Sequence, residues 1–194
     1  MTIFKSALGV LAGAIAVFIG TANVAHAEPY LAEIRTFAQH ECPAGWLPTD
    51  GRLLQVAHYP ALESVLEDRF GATSRRDFAL PKLPVPESTH DKLETQCIAA
   101  NGVYPTGNNT YLSEHYIGEI RLFATEHCPA GWLKTSGGLY PANHYVALYA
   151  VLHRRYGGGD GRTFRVPDNP RIFAAGHHEL NECIAAVGIW PYWD

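Results

Sequence analysis

Apolar residues along the chain follow two different periods, which predict short strands and one helix in each half. Between Tyr59 and Phe70, apolar positions recur every three or four residues and charged ones fall between them, the spacing of an amphipathic helix. The apolar stripe consists of Leu62, Val65, Leu66 and Phe70, and its counterpart in the second half of Leu148, Val151, Leu152 and Tyr156. The flanking segments alternate over only a few residues, as in Tyr30–Ala38, and predict short strands. The pattern therefore predicts an α+β fold.

The ends of these two helices carry residues with clear positional preferences. Pro60 suits a first helical turn, where its missing N–H costs nothing, and the Asn143 side chain can cap the start of the second helix. Gly71 and Gly157 follow the apolar stripes, and we predict that they end the helices as glycine caps.

The second half of the chain repeats the first at a constant offset of 86 residues. Cys42–Leu47 returns unchanged as Cys128–Leu133, and Cys97–Ala100 returns as Cys183–Ala186. No insertion or deletion interrupts the match, which is the signature of a duplicated structural unit. We therefore predict two tandem small domains, each with short strands around one amphipathic helix. Repeat 1 covers residues 28–105, a polar linker covers 106–115, and repeat 2 covers 116–194.

The first 27 residues differ in character from the rest of the chain. Lys5 is their only charge, an apolar run follows from Ala7 to Ile19, and Ala25-His26-Ala27 offers the small residues of a cleavage site. This order predicts a secretory signal peptide that is removed after Ala27. A membrane anchor is the alternative, but an apolar core of about 13 residues is shorter than the roughly 20 that a spanning helix needs. No later stretch is apolar enough to cross a membrane, so we expect an exported chain, either periplasmic or extracellular.

Charge argues against one class of partner. The net charge of −4 becomes about −5 once residues 1–27, which hold Lys5 and no acidic residue, are removed. A nucleic-acid-binding domain ordinarily carries a basic excess. We therefore expect no nucleic-acid partner.

Each of the four cysteines has a counterpart in the other repeat. In an oxidising compartment they predict two disulfides, for which composition alone allows three pairings. Two copies of one fold should close the same bridge, which favours Cys42–Cys97 and Cys128–Cys183. The rival pairing, Cys42–Cys128 with Cys97–Cys183, requires the two repeats to pack symmetrically. By the loop-entropy relation, each favoured bridge stabilises its repeat by about 4 kcal/mol.

Polar groups gather around a glycine-rich loop, residues 157–161 of repeat 2. The loop lacks the lysine and the following serine or threonine of a phosphate-binding loop. Asp160, Arg162 and Asp168 remain as candidate ligand or partner contacts, and the two acids also permit a hydrolase hypothesis. Repeat 1 has a serine and a lysine at the two acidic positions, so any such site belongs to repeat 2.

The pair His177-His178, with Glu179 and Glu182 nearby, is a second polar cluster. Adjacent residues rarely face one ion, and the spacing matches no known metal site. We therefore expect surface polar residues, no metal and no cofactor. Because every cysteine has a repeat partner, a thiol nucleophile is disfavoured as well. The sequence thus predicts no catalytic residue.

Aromatic residues occupy two kinds of position. Trp46 and Trp132 recur after the same turn, and we predict that both anchor the core. Tyr192 and Trp193 near the C-terminus have no aromatic counterpart in repeat 1. They either stack on a sugar or bury into a partner, or close over their own repeat, and the sequence leaves both readings open.

Five segments of repeat 2 carry a family resemblance. They are the opening Ile117–Ala124, the turn Pro129–Trp132, the helix Tyr145–Tyr156, the segment Tyr156–Asp168 and the closing strand Cys183–Pro191. In this order they resemble the phage tail-collar domain, which also occurs in bacterial microcystin-dependent-protein-like sequences. Members of that family are parts of tail fibres or related surface structures, with roles in assembly and attachment rather than catalysis. The resemblance therefore implies a structural part, and the leader and cysteines add the expectation of an exported form.

These observations rank three functional hypotheses. The leading one is a non-enzymatic exported surface or fibre protein that binds copies of itself or another surface or fibre protein. A secreted or periplasmic lectin-like module, binding glycans through its terminal aromatic residues, comes second. A hydrolase that uses Asp160 and Asp168 comes last, because repeat 1 lacks both acids.

Overall fold

The computed structural model describes residues 28–39, 41–84, 94–105, 115–158 and 161–191. Several predicted features lie outside these residues: the signal peptide, most of the linker, and the side chains of Asp160, Tyr192 and Trp193. Both repeats are otherwise covered over most of their length, so their arrangement can be compared position by position.

Each repeat folds into short strands and one helix, in the order that its sequence predicts. Repeat 1 contains β1 (Glu33–Phe37), β2 (Trp46–Pro48), β3 (Leu53–Gln55), α1 (Pro60–Leu66), β4 (Asp77–Ala79) and β5 (Thr95–Ala99). Repeat 2 contains β6 (Ile120–Phe123), β7 (Trp132–Lys134), β8 (Leu139–Pro141), α2 (Val146–Leu152), β9 (Thr163–Arg165), β10 (Ile172–Ala174) and β11 (His178–Ala185). The predicted α+β class is confirmed.

One antiparallel sheet runs through both repeats. Six of its seven strands follow the order β10-β11-β6-β1-β5-β2. The seventh strand, β7, pairs with β11. The repeats join at β1 and β6, where Glu33 pairs with Phe123 and Ile34 with Leu122. Pairing these two strands covers backbone groups that a separate domain would leave exposed at a sheet edge. The repeats therefore share a sheet, which differs from the expectation of two separate small domains.

The helices are shorter than the apolar stripes predict. Each has seven residues, and in each the two fully buried side chains are leucines, Leu62 with Leu66 and Leu148 with Leu152. Glu67 and His153 end the helices, with positive φ angles of 52° and 49°.

The predicted caps are wrong. Gly71 and Gly157 lie several residues beyond the helix ends, and the second helix begins after Tyr145 without a side-chain cap from Asn143. The chain leaves the helix early because Glu67 and His153 take up a conformation that the helical hydrogen-bond ladder cannot continue.

Residues of repeat 2 complete the apolar core of repeat 1. The main cluster of repeat 1 includes Leu62, Phe78 and Ile98, and it also contains Ala124, Ala174 and Leu180 from repeat 2. Repeat 2 has its own cluster, which includes Leu148, Phe164 and Ile184. A third cluster lies between the repeats and consists of Tyr30, Val103, Phe123, Trp132, Cys183 and Ala185.

The two disulfides are Cys42–Cys97 and Cys128–Cys183, the pairing that the repeat favours. Each ties the loop before a short strand to the last strand of its repeat, with Cα atoms 5.8 Å and 5.9 Å apart. Cys97 and Cys183 are fully buried, so each bridge is anchored in the sheet. Within the described ranges, no helix has the length and apolar character required to span a membrane.

Candidate functional site

Of the predicted contact residues, the structure describes Arg162 and Asp168. Arg162 is exposed, and its carbonyl accepts a hydrogen bond from the Ala142 N–H at 2.8 Å. Asp168 is also exposed, forms a backbone bridge with Ser136, and lines a cavity to which Arg162 does not contribute. Asp168 therefore lies at a concave surface of repeat 2.

This polar cavity measures about 310 Å³, and its charged lining residues are Lys134, Asp168, Arg171, Glu179 and Glu182. Repeat 1 has a cavity of about 330 Å³ at the matching place, lined among others by Pro48, Lys82 and Gln96. At the offset of 86 residues, these three correspond to Lys134, Asp168 and Glu182. The fold thus forms the same hollow twice. The hollow of repeat 1 has charged lining residues as well, Asp50, Lys82 and Glu94, but at positions where repeat 2 has Ser136, Asp168 and Leu180.

Three of the charged groups in the cavity of repeat 2 are paired with one another. Lys134 Nζ lies 2.8 Å from Glu179 Oε1, and Arg171 Nη1 lies 3.6 Å from Glu179 Oε2. The hydrogen bond from Lys134 lowers the pKa of Glu179, so its carboxylate stays ionised. Glu182 accepts hydrogen bonds from Thr135 Oγ1 at 3.0 Å and from Asn169 Nδ2 at 2.5 Å. Both carboxylates therefore serve as hydrogen-bond acceptors within the fold. Of the two acids in the hydrolase hypothesis, Asp168 lines this cavity and Asp160 lies outside the described residues.

The histidine pair also has a packing role. His177 is exposed, whereas the ring of His178 meets the edge of Phe70 from repeat 1 at a centroid distance of 5.6 Å. Across the part of the chain that the structure describes, no group of three or more His, Cys, Asp or Glu side chains could hold a metal ion. His178 is thus a contact between the repeats.

The contact between the repeats pairs the equivalent strands β1 and β6 antiparallel, but the residues buried in it occupy different positions in the two repeats. We call the repeat 1 side the front face, which consists of Tyr30, Ala32, Glu33, Arg69 and Phe70. We call the repeat 2 side the back face, which consists of Arg121, Phe123, Ala124 and Trp132. The Ala124 N–H donates to the Ala32 carbonyl at 3.1 Å and extends the pairing of β1 with β6.

A buried carboxylate lies at the centre of this contact. Glu33 is fully buried, and it accepts hydrogen bonds from the Tyr30 N–H at 3.0 Å and from Arg35 Nε at 2.5 Å. Arg121 of repeat 2 adds a third donor, with Nη1 3.2 Å from Glu33 Oε2. A buried charge is costly unless it is paired, so the guanidinium of repeat 2 stabilises the carboxylate of repeat 1.

Aromatic rings and a second arginine complete the contact. The Tyr30 ring meets Phe123 and Trp132 edge-on, at centroid distances of 5.9 Å and 6.0 Å. Burial raises the pKa of Tyr30. Arg69 donates from Nη1 to the Ala124 carbonyl at 3.1 Å and from Nη2 to the Glu179 carbonyl.

The joint between the repeats was not predicted from the sequence. The sequence predicts both Trp46 and Trp132 as core anchors, but only Trp132 is buried, with 5% of its surface exposed, whereas Trp46 is half-buried. The difference arises because the rings of Tyr30 and His115 cover Trp132, at centroid distances of 6.0 Å and 4.9 Å. The available signal was the recurrence of Glu33 and Arg35 in repeat 2, an acid and a base inside an otherwise apolar strand.

Comparison with known proteins agrees with the repeat structure. A family model described as Phage Tail Collar Domain matches residues 32–84 and again residues 118–173. No curated protein and no solved structure matches the chain. The two matches together cover more than half of the sequence, one in each repeat. The chain therefore belongs to the phage tail collar domain family and carries two tandem copies of the domain.

Proposed function

We propose that the protein is a non-catalytic structural part of an exported fibre or cell-surface assembly, in which the collar repeats serve assembly or attachment. The observation that carries this proposal is the collar match in both repeats, since that domain is named for phage tails. The disulfide in each repeat adds support, because such bridges form and persist in oxidising compartments outside the cytosol.

The chemistry of the polar cavity supports the non-catalytic part of the proposal. Glu179 and Glu182 have hydrogen-bond donors from neighbouring side chains, and the lowered pKa of Glu179 is the opposite of what a general acid needs. The cavity therefore suits a surface contact better than proton transfer.

The test is to follow the protein in producing cells with antibodies raised against the purified chain. Cytoplasmic, periplasmic and extracellular fractions are separated and then sedimented through sucrose gradients. We expect the protein in particles far heavier than the 21.3 kDa chain, outside the cytoplasm. A variant lacking residues 1–27 serves as the control and should stay in the cytoplasm. Protein found outside the cytoplasm only as a free single chain would contradict the proposal.

Glycan binding is the second candidate, and the exposure of Trp190 near the end of repeat 2 favours it. Exposed aromatic rings are suited to stacking on sugar faces. Glycan-array binding that is lost in Trp190→Ala or Trp193→Ala would favour a lectin-like role. Tyr104→Ala is the matched control, because Tyr104 is the equally exposed counterpart of Trp190 in repeat 1. An equal loss of binding in Tyr104→Ala and in the two tryptophan variants, or no glycan binding by the unmodified chain, would count against a lectin-like role.

A further inference from the structure

Repeat 2 closes the front face of repeat 1 with both apolar and polar contacts. Ala124, Ala174 and Leu180 of repeat 2 belong to the core cluster of repeat 1. The guanidinium of Arg69 donates hydrogen bonds to the carbonyls of Ala124 and Glu179. The front face of repeat 1 therefore binds polypeptide, by packing of apolar side chains and by an arginine that bonds to the backbone.

Repeat 1 does not offer repeat 2 the same apolar contact in return. The strands β1 and β6 are equivalent and pair antiparallel, so the joint is locally two-fold and the counterparts of the closing residues can be read from the offset of 86 residues. The counterparts of Ala124, Ala174 and Leu180 are Ala38, Ser88 and Glu94. Ala38 and Glu94 are exposed, and Ser88 lies outside the described residues. Polar residues thus replace two of the three apolar closing residues.

The front face of repeat 2 is open. By the same offset it consists of Tyr116, Gly118, Glu119, Arg155 and Tyr156. Tyr116 is 55% exposed and Tyr156 43%, against 2% for Tyr30. A cavity of about 490 Å³ lies on this face, and Val151, Leu152 and Pro191 complete its lining. The cavity therefore has an apolar floor and exposed aromatic rings at its rim.

Arg155 supplies a positive charge to this cavity. It is exposed, whereas its counterpart Arg69 is half-buried against repeat 2. Among the described residues, no acidic side chain forms an ion pair with Arg155. The carboxylate of Glu119, which lines the same cavity, instead accepts a hydrogen bond from Arg121 Nε at 2.6 Å. The cavity thus suits a segment that combines apolar rings with a negative charge or backbone carbonyls.

The residues that follow Pro191 have this chemistry and begin at the cavity. Pro191 is the last described residue and lines the cavity itself. The sequence continues with Tyr192, Trp193 and Asp194. Three residues reach at most roughly 10 Å, and their attachment at the rim gives them a high effective concentration. Repeat 1, whose front face is already closed, continues at the matching positions with a threonine and a glycine, which have no ring.

We infer that residues 192–194 bind the front face of repeat 2 in their own chain and cap it. Their two aromatic rings pack against Tyr116 and Tyr156, which removes apolar surface from water and allows edge-to-face ring contacts. Arg155 donates to the carboxylate of Asp194 and to backbone carbonyls, as Arg69 does to the backbone of repeat 2. The inference goes beyond the proposed function, and it means that any partner of this face must first displace the cap.

Photo-crosslinking from position 193 tests where the segment binds. Benzoylphenylalanine, an aromatic residue that captures neighbouring C–H groups on illumination, replaces Trp193 in the exported chain, and mass spectrometry maps the products. We expect crosslinks within a single chain to residues 116–119 and 151–156. The same substitution at position 53 is the control and should capture neither range, because Leu53 is exposed on repeat 1.

Hydroxyl-radical footprinting measures the same contact through the exposure of the tyrosines. Deletion of residues 192–194 should raise the oxidation rates of Tyr116 and Tyr156 several-fold. Arg155→Gln should raise them less, because the rings still pack. Tyr104, which is exposed on repeat 1, is the internal control and should not change. Circular dichroism and disulfide mapping check that each variant is folded.

Three results would overturn the inference. They are crosslinks from position 193 that reach only other chains or other parts of the protein, tyrosine oxidation that the deletion leaves unchanged, and capture of residues 151–156 from position 88 but not from position 193. The last result would make repeat 1 the occupant of the open face. Sedimentation of the native protein tests the proposed function separately, so either can fail without the other.

Discussion

Glu33 and Glu119 occupy the same position in the two repeats, but they have different energetic roles. Both accept hydrogen bonds from a backbone N–H three residues earlier and from an arginine two residues later. Only Glu33 is fully buried, and only Glu33 receives a guanidinium from the other repeat. The cost of removing a charge depends on its burial, so the two positions form a matched pair for mutation.

We expect Glu33→Gln to lower the free energy of unfolding by about 3 kcal/mol, because the fully buried Glu33 carboxylate pairs with both Arg35 and Arg121, and Arg121 then keeps only the partly exposed Glu119. Glu119→Gln should cost about 1 kcal/mol or less, since its ion pair is partly exposed. Urea denaturation at neutral pH measures both. Equal losses at the two positions would contradict the role assigned to the joint.

Asp77 gives a pH-dependent contribution at the residue scale. Its carboxylate accepts hydrogen bonds from the N–H and hydroxyl groups of Thr73 and Ser74, which hold its pKa well below the usual range. A depressed pKa in the folded state stabilises the protein above the unfolded pKa, about 3.9, and this stabilisation is lost as the pH falls below that value.

The stability difference between the unmodified chain and Asp77→Asn should therefore be constant from pH 7 to about pH 5 and shrink below about pH 4. Urea midpoints across this range measure it. Asp68→Asn controls for the removal of one exposed negative charge on the same surface. A difference that grows on acidification would show that the carboxylate is not the stabilising form.

At the scale of elements, the two helices end in the same unusual way. Glu67 has φ 52° and ψ −141°, and His153 has φ 49° and ψ −128°. Residues with a side chain seldom adopt this region, which costs of order 1–3 kcal/mol and suits glycine. Each helix thus ends at a strained residue. The N–H of that residue donates to the carbonyl of Glu63 in α1 and of Tyr149 in α2, which holds it in place.

We expect Glu67→Gly to raise the free energy of unfolding by about 1 kcal/mol, because the strain relieved exceeds the extra entropy of glycine in the unfolded chain. The matched control is Glu63→Gly, which places glycine inside α1 and should cost about 1 kcal/mol. Thermal unfolding of both variants at the same pH gives the comparison. A loss of stability in Glu67→Gly would mean that the side chain contributes more than its backbone strain costs.

At the scale of the whole molecule, the shared sheet makes the two repeats one cooperative unit. Leu180 and Ala174 of repeat 2 belong to the core of repeat 1, and the rings of Tyr30 and Trp132 meet across the joint. Repeat 1 therefore cannot lose repeat 2 without exposing part of its own core. A protein of this kind is expected to unfold in one transition.

Replacing Cys128 and Cys183 by serine should lower the midpoint of thermal unfolding for the entire chain, consistent with a loss of about 4 kcal/mol for a bridge of this span. The transition should remain single in calorimetry, although only the bridge of repeat 2 is removed. Replacing Cys42 and Cys97 is the matched control and should have a similar effect. Two separate transitions in either variant would contradict the shared core.

The sequence by itself determined the features that are local or duplicated. The repeat, the disulfide pairing and the place of each helix follow from residue spacing, and the collar resemblance follows from the order of the segments in repeat 2. The sequence did not predict where the helices end, because Glu67 and His153 take conformations that their residue types do not favour. Asp168 was predicted as a contact residue and lines a cavity, but the ion pairs of that cavity were not predicted.

Only the tertiary structure decided how the two copies differ in use. Glu33 and Glu119, or Trp46 and Trp132, lie in nearly the same local sequence, so propensity and periodicity treat them alike. Their burial differs because β1 pairs with β6, a long-range contact that covers one front face and one back face. The sequence shows the repeat, but the difference in burial between equivalent residues arises where one repeat packs against the other.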